Sequence, residues 1–157
     1  MEIRLLDHDP KLVRTISQWH QRQWGHLSTR TTEDRIAEFA GHGTEVPLTL
    51  VGFAGRELIG TASLLVHDMD IHPELAPWLG SVYVLPEHRR RGHGKQLVAG
   101  VTDQAARLAV STLYLFTEDR ERFYAAMGWE TLETLPYHGE TVTIMKLALP
   151  AAGICAG

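Results

Sequence analysis

One stretch constrains this chain more than any other: Val82-Tyr83-Val84-Leu85-Pro86-Glu87-His88-Arg89-Arg90-Arg91-Gly92-His93-Gly94-Lys95. Apolar, β-prone residues run up to Pro86, which ends a strand. Arg89, Gly92 and Gly94 then fall in the pattern R-x-x-G-x-G. Beyond them Leu97, Val98, Val101, Ala105 and Leu108 recur at helical spacing. A strand therefore leads through a glycine loop into a helix. The first amides of such a helix have no internal partner, and its dipole favours an anion there. Glycine lets the backbone approach a ligand closely. Arg89, Arg90, Arg91 and Lys95 add formal charge, so the arrangement suits a diphosphate. A plain helix start with a solvated basic run reads the same way, and the loop alone does not choose between them. A dinucleotide fingerprint would need an acidic residue closing a second strand about 20 residues on. Here Thr117 ends the next strand and Glu118 lies just beyond it. The G-x-x-x-x-G-K-[ST] of a P-loop is absent.

The rest of the chain organises around that unit. Residues 3–6 read as a short strand. Asp9-Pro10 offers an N-cap and a first-turn proline for a helix to Trp24, with Leu12, Val13, Ile16 and Trp19 on one face. Thr31 to Asp34 matches a capping box for a second helix, stopped at Gly41 and Gly43. Residues 48–54 and 58–66 form a hairpin around Gly55-Arg56, and 79–85 and 112–116 are further strands. Asp119 caps a short helix to Met127, and strands at 129–132 and 141–147 flank a turn at 136–139. The order β-α-α-β-β-β-α-β-α-β-β predicts an α/β (α+β) fold. It has a mixed sheet of about seven strands with helices on both faces, and a right-handed crossover around the helix at 93–108.

A chain of 157 residues fits one domain. We place it at residues 1–150, with 151–157 as a flexible tail. The single cysteine, Cys155, forms no internal disulfide. No apolar run reaches the ~18 residues of a membrane span, and Met1-Glu2-Ile3-Arg4 does not open a signal peptide. A cytoplasmic protein is expected. The net charge of −4 argues against nucleic acid as a general partner.

A second block, Phe123-Tyr124-Ala125-Ala126-Met127-Gly128-Trp129, follows one helix and one strand after the loop. Together the two blocks resemble the GNAT superfamily of acyl-CoA-dependent N-acyltransferases, over about residues 2–148. The resemblance implies the acyl-CoA N-acyltransferase fold, a mostly antiparallel sheet that splays open after the strand at 79–85. It implies acetyl-CoA as co-substrate, with no metal. The backbone of Val82 and Val84, with Tyr83 between them, would meet the pantetheine arm. Arg89 and the amides of Arg90, Arg91, Gly92, His93, Gly94 and Lys95 would hold the pyrophosphate. Tyr124 would act as general acid to the leaving thiolate. The acceptor would be a small amine or a peptide, and a homodimer is common among such proteins.

The pattern departs from the superfamily in two places. Trp78-Leu79-Gly80-Ser81 and Tyr114-Leu115-Phe116-Thr117 offer no carboxylate where members often carry one. An asparagine often found ahead of the tyrosine helix is replaced, by spacing, with Thr117, taken as a cofactor contact. The proton acceptor must then come from elsewhere. If residues 67–74 are extended, Asp68, Asp70 and His72 share a face. They join Trp24, with Gln23 and Trp19 nearby, as acceptor-site candidates. A solvated loop is the plainer reading of this segment, and a metal site the remotest. His20, His26 and His42 read as surface or helix-end residues. Acetyl transfer to a primary amine is the leading function. A non-catalytic CoA-binding domain, or a module for another diphosphate, are the alternatives.

Overall fold

A computed structural model describes residues 1–150; the predicted tail at 151–157 and Cys155 lie outside the described residues. The elements are β1 (Glu2–Leu5), α1 (Pro10–Trp24), α2 (Thr32–Phe39), β2 (Leu48–Ala54), β3 (Glu57–Leu65) and β4 (Trp78–Val84), followed by α3 (His93–Arg107), β5 (Thr112–Thr117), α4 (Glu121–Ala125), β6 (Glu130–Tyr137) and β7 (Glu140–Ala148). One seven-stranded sheet runs β1-β2-β3-β4-β5-β7-β6. Only β4 and β5 are parallel neighbours, as expected around α3.

Local chemistry starts the helices where predicted. Asp9 accepts a hydrogen bond from the Lys11 N–H at 3.0 Å, with Pro10 at the first position of α1. Thr31 and Asp34 close a reciprocal capping box on α2. Each such cap contributes about 1 kcal/mol.

The two faces of the sheet carry different cores. Gly60, Ala62 and Leu64 of β3 face α3, where Leu97, Val98 and Val101 are fully or almost fully buried. Thr61 faces His20 of α1, on the side where Val13, Ile16, Trp19 and Phe39 pack. The helices therefore cover both faces.

β4 and β5 pair at a single position, Trp78↔Tyr114. Trp78 is fully buried there, with the rings of Tyr114 and Phe116 5.9 and 6.4 Å away. Its indole N–H donates to the Leu75 carbonyl at 2.7 Å. The indole plugs the apex of a V, and beyond it the two strands part. The expected splay is present.

Two boundaries differ from the sequence reading. β6 continues to Tyr137 instead of ending at 132, and Pro136 pairs with Thr141. An edge strand tolerates proline because no partner needs its missing N–H. The turn contracts to His138 and Gly139, both at positive φ (48° and 81°). The short helix α4 is not capped by Asp119. Arg120 occupies the cap without a side-chain bond, and its N–H donates to Thr117 Oγ1 at 3.0 Å.

Candidate active site

The gap between β4 and β5 opens into a cleft of about 790 Å³ that runs from the start of α3 to the α1–α2 connection. Its lining includes Val82, Tyr83, Val84, Arg89, Arg90, Gly92, His93, Gly94, Lys95, Thr117 and Tyr124. The structure thus gathers into one cavity nearly every cofactor residue expected from the sequence. Arg91 is the exception: it is exposed and does not line the cleft.

At the α3 end Gly92 holds φ 82°, a left-handed value that L side chains adopt only with strain. The cap carries no side-chain hydrogen bond, and the first helical bond runs from Gln96 N–H to the Gly92 carbonyl. The amides of His93, Gly94 and Lys95 precede that ladder. With Arg90 and Lys95 they form an open anion site, and these residues fit a diphosphate. Arg89 behaves differently. Its Nε donates to the Val84 carbonyl at 2.7 Å and its guanidinium lies 5.5 Å from the Tyr83 ring. It braces the loop against β4 as well as facing the cleft.

Tyr124 sits deeper, 8% exposed, with the Phe123 and Trp129 rings 5.0 and 6.1 Å from its own. Burial pushes its phenol well above the ordinary tyrosine value, so the group stays protonated. Its hydroxyl has no hydrogen-bond partner among the described residues, yet is not sealed from the cavity. A protonated, unpaired phenol is a ready donor.

The segment before β4 is not extended, and this overturns the shared face proposed for Asp68, Asp70 and His72. It bends, with His72 at φ 55°. Asp70 points out to His138, with Nε2 2.6 Å from Oδ2, while its N–H donates to the Tyr137 hydroxyl. His72 sits between Glu74 and Glu133 and does not line the cleft. Asp68 and Asp70 both line the cleft, Asp70 at its exposed rim, where it pairs with His138, and Asp68 deeper in. Desolvation raises the Asp68 carboxyl to about 7, against the opposing pull of Arg30 and Arg35. It lies over β4 at Gly80, where a Cβ would come within 2.8 Å of Oδ2.

β4 carries one extra residue opposite β3 between Gly80 and Tyr83. This bulge places Ser81 at φ 53°. A chain of hydrogen bonds holds it. Thr61 Oγ1 donates to the Ser81 carbonyl at 2.8 Å and so accepts from His20 Nε2–H at 2.9 Å. His20 is therefore not a surface residue. It is 1% exposed, and burial first, then Arg35 and His42, holds its pKa down to about 3, so it is neutral. His42 is half-buried, with Nδ1 2.6 Å from Thr49 Oγ1. His26 is exposed and joins the α1–α2 connection to Glu118 across the cleft. Trp24 and Gln23 line the same wall, whereas Trp19 is core.

Sequence reasoning missed Gly80, His20 and Arg35. A glycine inside an apolar strand marks a close approach. Arg35 falls four residues before Phe39, on the buried face of α2. Nothing in the pattern separates His20 from a surface histidine.

The family model for the Acetyltransferase (GNAT) family matches residues 13–129. No curated protein matches the chain in sequence. Among solved structures, an aminoglycoside 6'-N-acetyltransferase complexed with coenzyme A is similar at TM-score 0.78. The two are 16% identical over 96% of this chain and 98% of that one. The structure of yncA from Salmonella typhimurium with its cofactor acetyl-CoA is similar at 0.76, 19% identical over 98% of each chain. The ribosomal-protein-alanine N-acetyltransferase from Brucella melitensis is similar at 0.75, 19% identical over 95% of this chain and 100% of that one.

Proposed function

Because this chain belongs to the GNAT acetyltransferase family, we propose that it moves an acetyl group from acetyl-CoA to a primary amine, with Asp68 as proton acceptor and Tyr124 as proton donor. One observation carries the reading: a carboxyl poised near neutrality and an unpaired phenol open into one cleft, whose other end is an uncapped helix start.

The thioester supplies an acyl group already activated for transfer. The amides of His93, Gly94 and Lys95, with Arg90 and Lys95 side chains, bind the diphosphate. The unpaired edge of β4 beyond Trp78 offers backbone groups to an extended arm, as an added strand would use them. A β4 N–H facing the gap holds the charge that develops on the carbonyl oxygen. Asp68 takes a proton from the incoming ammonium, which must be neutral to attack. Tyr124 supplies a proton to the departing sulfur. A thiolate is already a fair leaving group, so this assistance is modest.

Solved neighbours act on an aminoglycoside and on a ribosomal protein. We read the acceptor here as a small amine or a peptide N-terminus. Thiol release from acetyl-CoA across an amine panel, with the product identified by mass, tests the proposal. Acetylated amine in step with released thiol is the expected result. Tight CoA binding without turnover on any amine would favour a CoA sensor, and tighter binding of ATP or NAD would refute the CoA reading.

A further inference from the structure

Arg35 is 6% exposed, yet it has no ionic partner among the described residues. Its Nε donates to Gln21 Oε1 at 2.9 Å. Its terminal nitrogens make no hydrogen bond and are not sealed in protein. Arg35 lines two neighbouring spaces: the main cleft, and a side chamber of about 250 Å³ between α1, α2 and β3. The neighbouring carboxylates are committed elsewhere. Glu38 pairs with Arg30 at 3.0 Å, and Asp34 closes the capping box of α2. Asp68 is near enough for its charge to act on Arg35 but makes no ion pair with it.

A buried guanidinium whose terminal nitrogens lack a directly bonded partner is under-satisfied, and an arriving anion supplies the missing hydrogen bonds. Its planar fork can hold a carboxylate through two parallel hydrogen bonds. Arg30 lines both spaces and, by pairing with Glu38 at 3.0 Å, holds that carboxylate away from Arg35. Asp68, on the same stretch of wall, is where the acetyl-transfer reading puts the amine.

We propose that Arg35, assisted by Arg30, is an acceptor subsite for a carboxylate, so that the substrate is an amine that also carries a carboxylate. This rests on the acetyl-transfer reading. The shared chemistry has two sources: a free amino acid, through its own carboxylate, or a peptide N-terminus, through an acidic side chain.

The test compares kcat/KM on matched acceptors, β-alanine against n-propylamine and a tripeptide beginning with aspartate against one beginning with asparagine. A preference of tenfold or more for the carboxylate member of either pair is expected, and the preferred pair identifies the source. Arg35→Gln and the half-exposed Arg30→Gln should each cut that preference severalfold, while Arg35→Lys should keep part of it. A wild-type ratio at or below one on both pairs, or a ratio unchanged in both glutamine variants, would overturn the subsite. If no amine is acetylated, the transfer reading fails separately. N-acetyl-aspartate, which has carboxylates but no free amine, then decides the subsite by melting temperature. A rise in wild type that is lost in Arg35→Gln supports it, and no rise in wild type overturns it.

Discussion

Asp68 lies against Gly80 so closely that a single added carbon would collide with it: a Cβ at Gly80 would come within 2.8 Å of Asp68 Oδ2 and equally near Leu65 Cδ1. The carboxylate missing from β4 itself is thus delivered by the preceding loop, over a gap that only glycine leaves. Gly80→Ala should displace Asp68 from the cleft. We expect turnover to fall tenfold or more with CoA affinity within about threefold of wild type, read by steady-state kinetics and calorimetry.

The ionisation of Asp68 sets a pH profile. With its pKa raised to about 7, the base is protonated below neutrality. kcat/KM should therefore rise with pH through about 7 before levelling. Asp68→Asn should lower the rate by about a hundredfold or more and remove that limb. A wild-type profile flat between pH 5.5 and 8 would contradict the assignment.

The same group makes a stability prediction with a defined sign. Its folded pKa lies well above the ordinary aspartate value of about 3.9. Between about 4 and 7 the folded state keeps a proton that the unfolded state has lost, so stability falls as pH rises through that window. Above it, Asp68→Asn should be the more stable protein, by on the order of 2 kcal/mol after allowing for partial solvation. At pH 4 the difference should vanish. Denaturant melts at the two pH values measure it.

Tyr124→Phe keeps the ring packing against Phe123 and Trp129 and removes only the hydroxyl. A loss of about 10- to 100-fold in kcat is expected, with CoA affinity nearly unchanged, because the leaving thiolate needs little help. Unchanged kcat would reduce Tyr124 to a packing residue.

The chain from His20 through Thr61 to the Ser81 carbonyl holds the β4 bulge. Thr61→Val breaks both bonds and strands buried polar atoms, at a cost of about 2–3 kcal/mol. Turnover should drop with it. Thr61→Ser, which keeps the hydroxyl, should restore most of both.

Much of this was legible in the residues. Asp9-Pro10 and Thr31-Asp34 mark helix starts by chemistry that operates within four residues, and the structure keeps both. The Arg89 to Gly94 loop and the Tyr124 to Trp129 block carry local patterns, so the strand, loop and helix that line the α3 end of the cleft could be read in advance. The acceptor end could not. Asp68, Arg35 and His20 come from a bend and from two helices, and they meet only because Trp78 wedges β4 from β5 and a bulge re-aims Gly80 and Ser81. Alternation predicts a shared face for Asp68, Asp70 and His72 only if the chain is extended. The left-handed turn at His72 removes that premise.

Acetyl transfer through Asp68 and Tyr124 can be tested in one experiment. The direct measurement is thiol release with mass detection of the acetylated amine, run on wild type and on the Asp68→Asn, Tyr124→Phe double variant, alongside CoA binding to both. Wild type should yield acetylated amine in step with thiol, while the double variant binds CoA comparably and yields almost none. Equal turnover by the two proteins would contradict it, as would CoA binding by wild type without turnover on any amine.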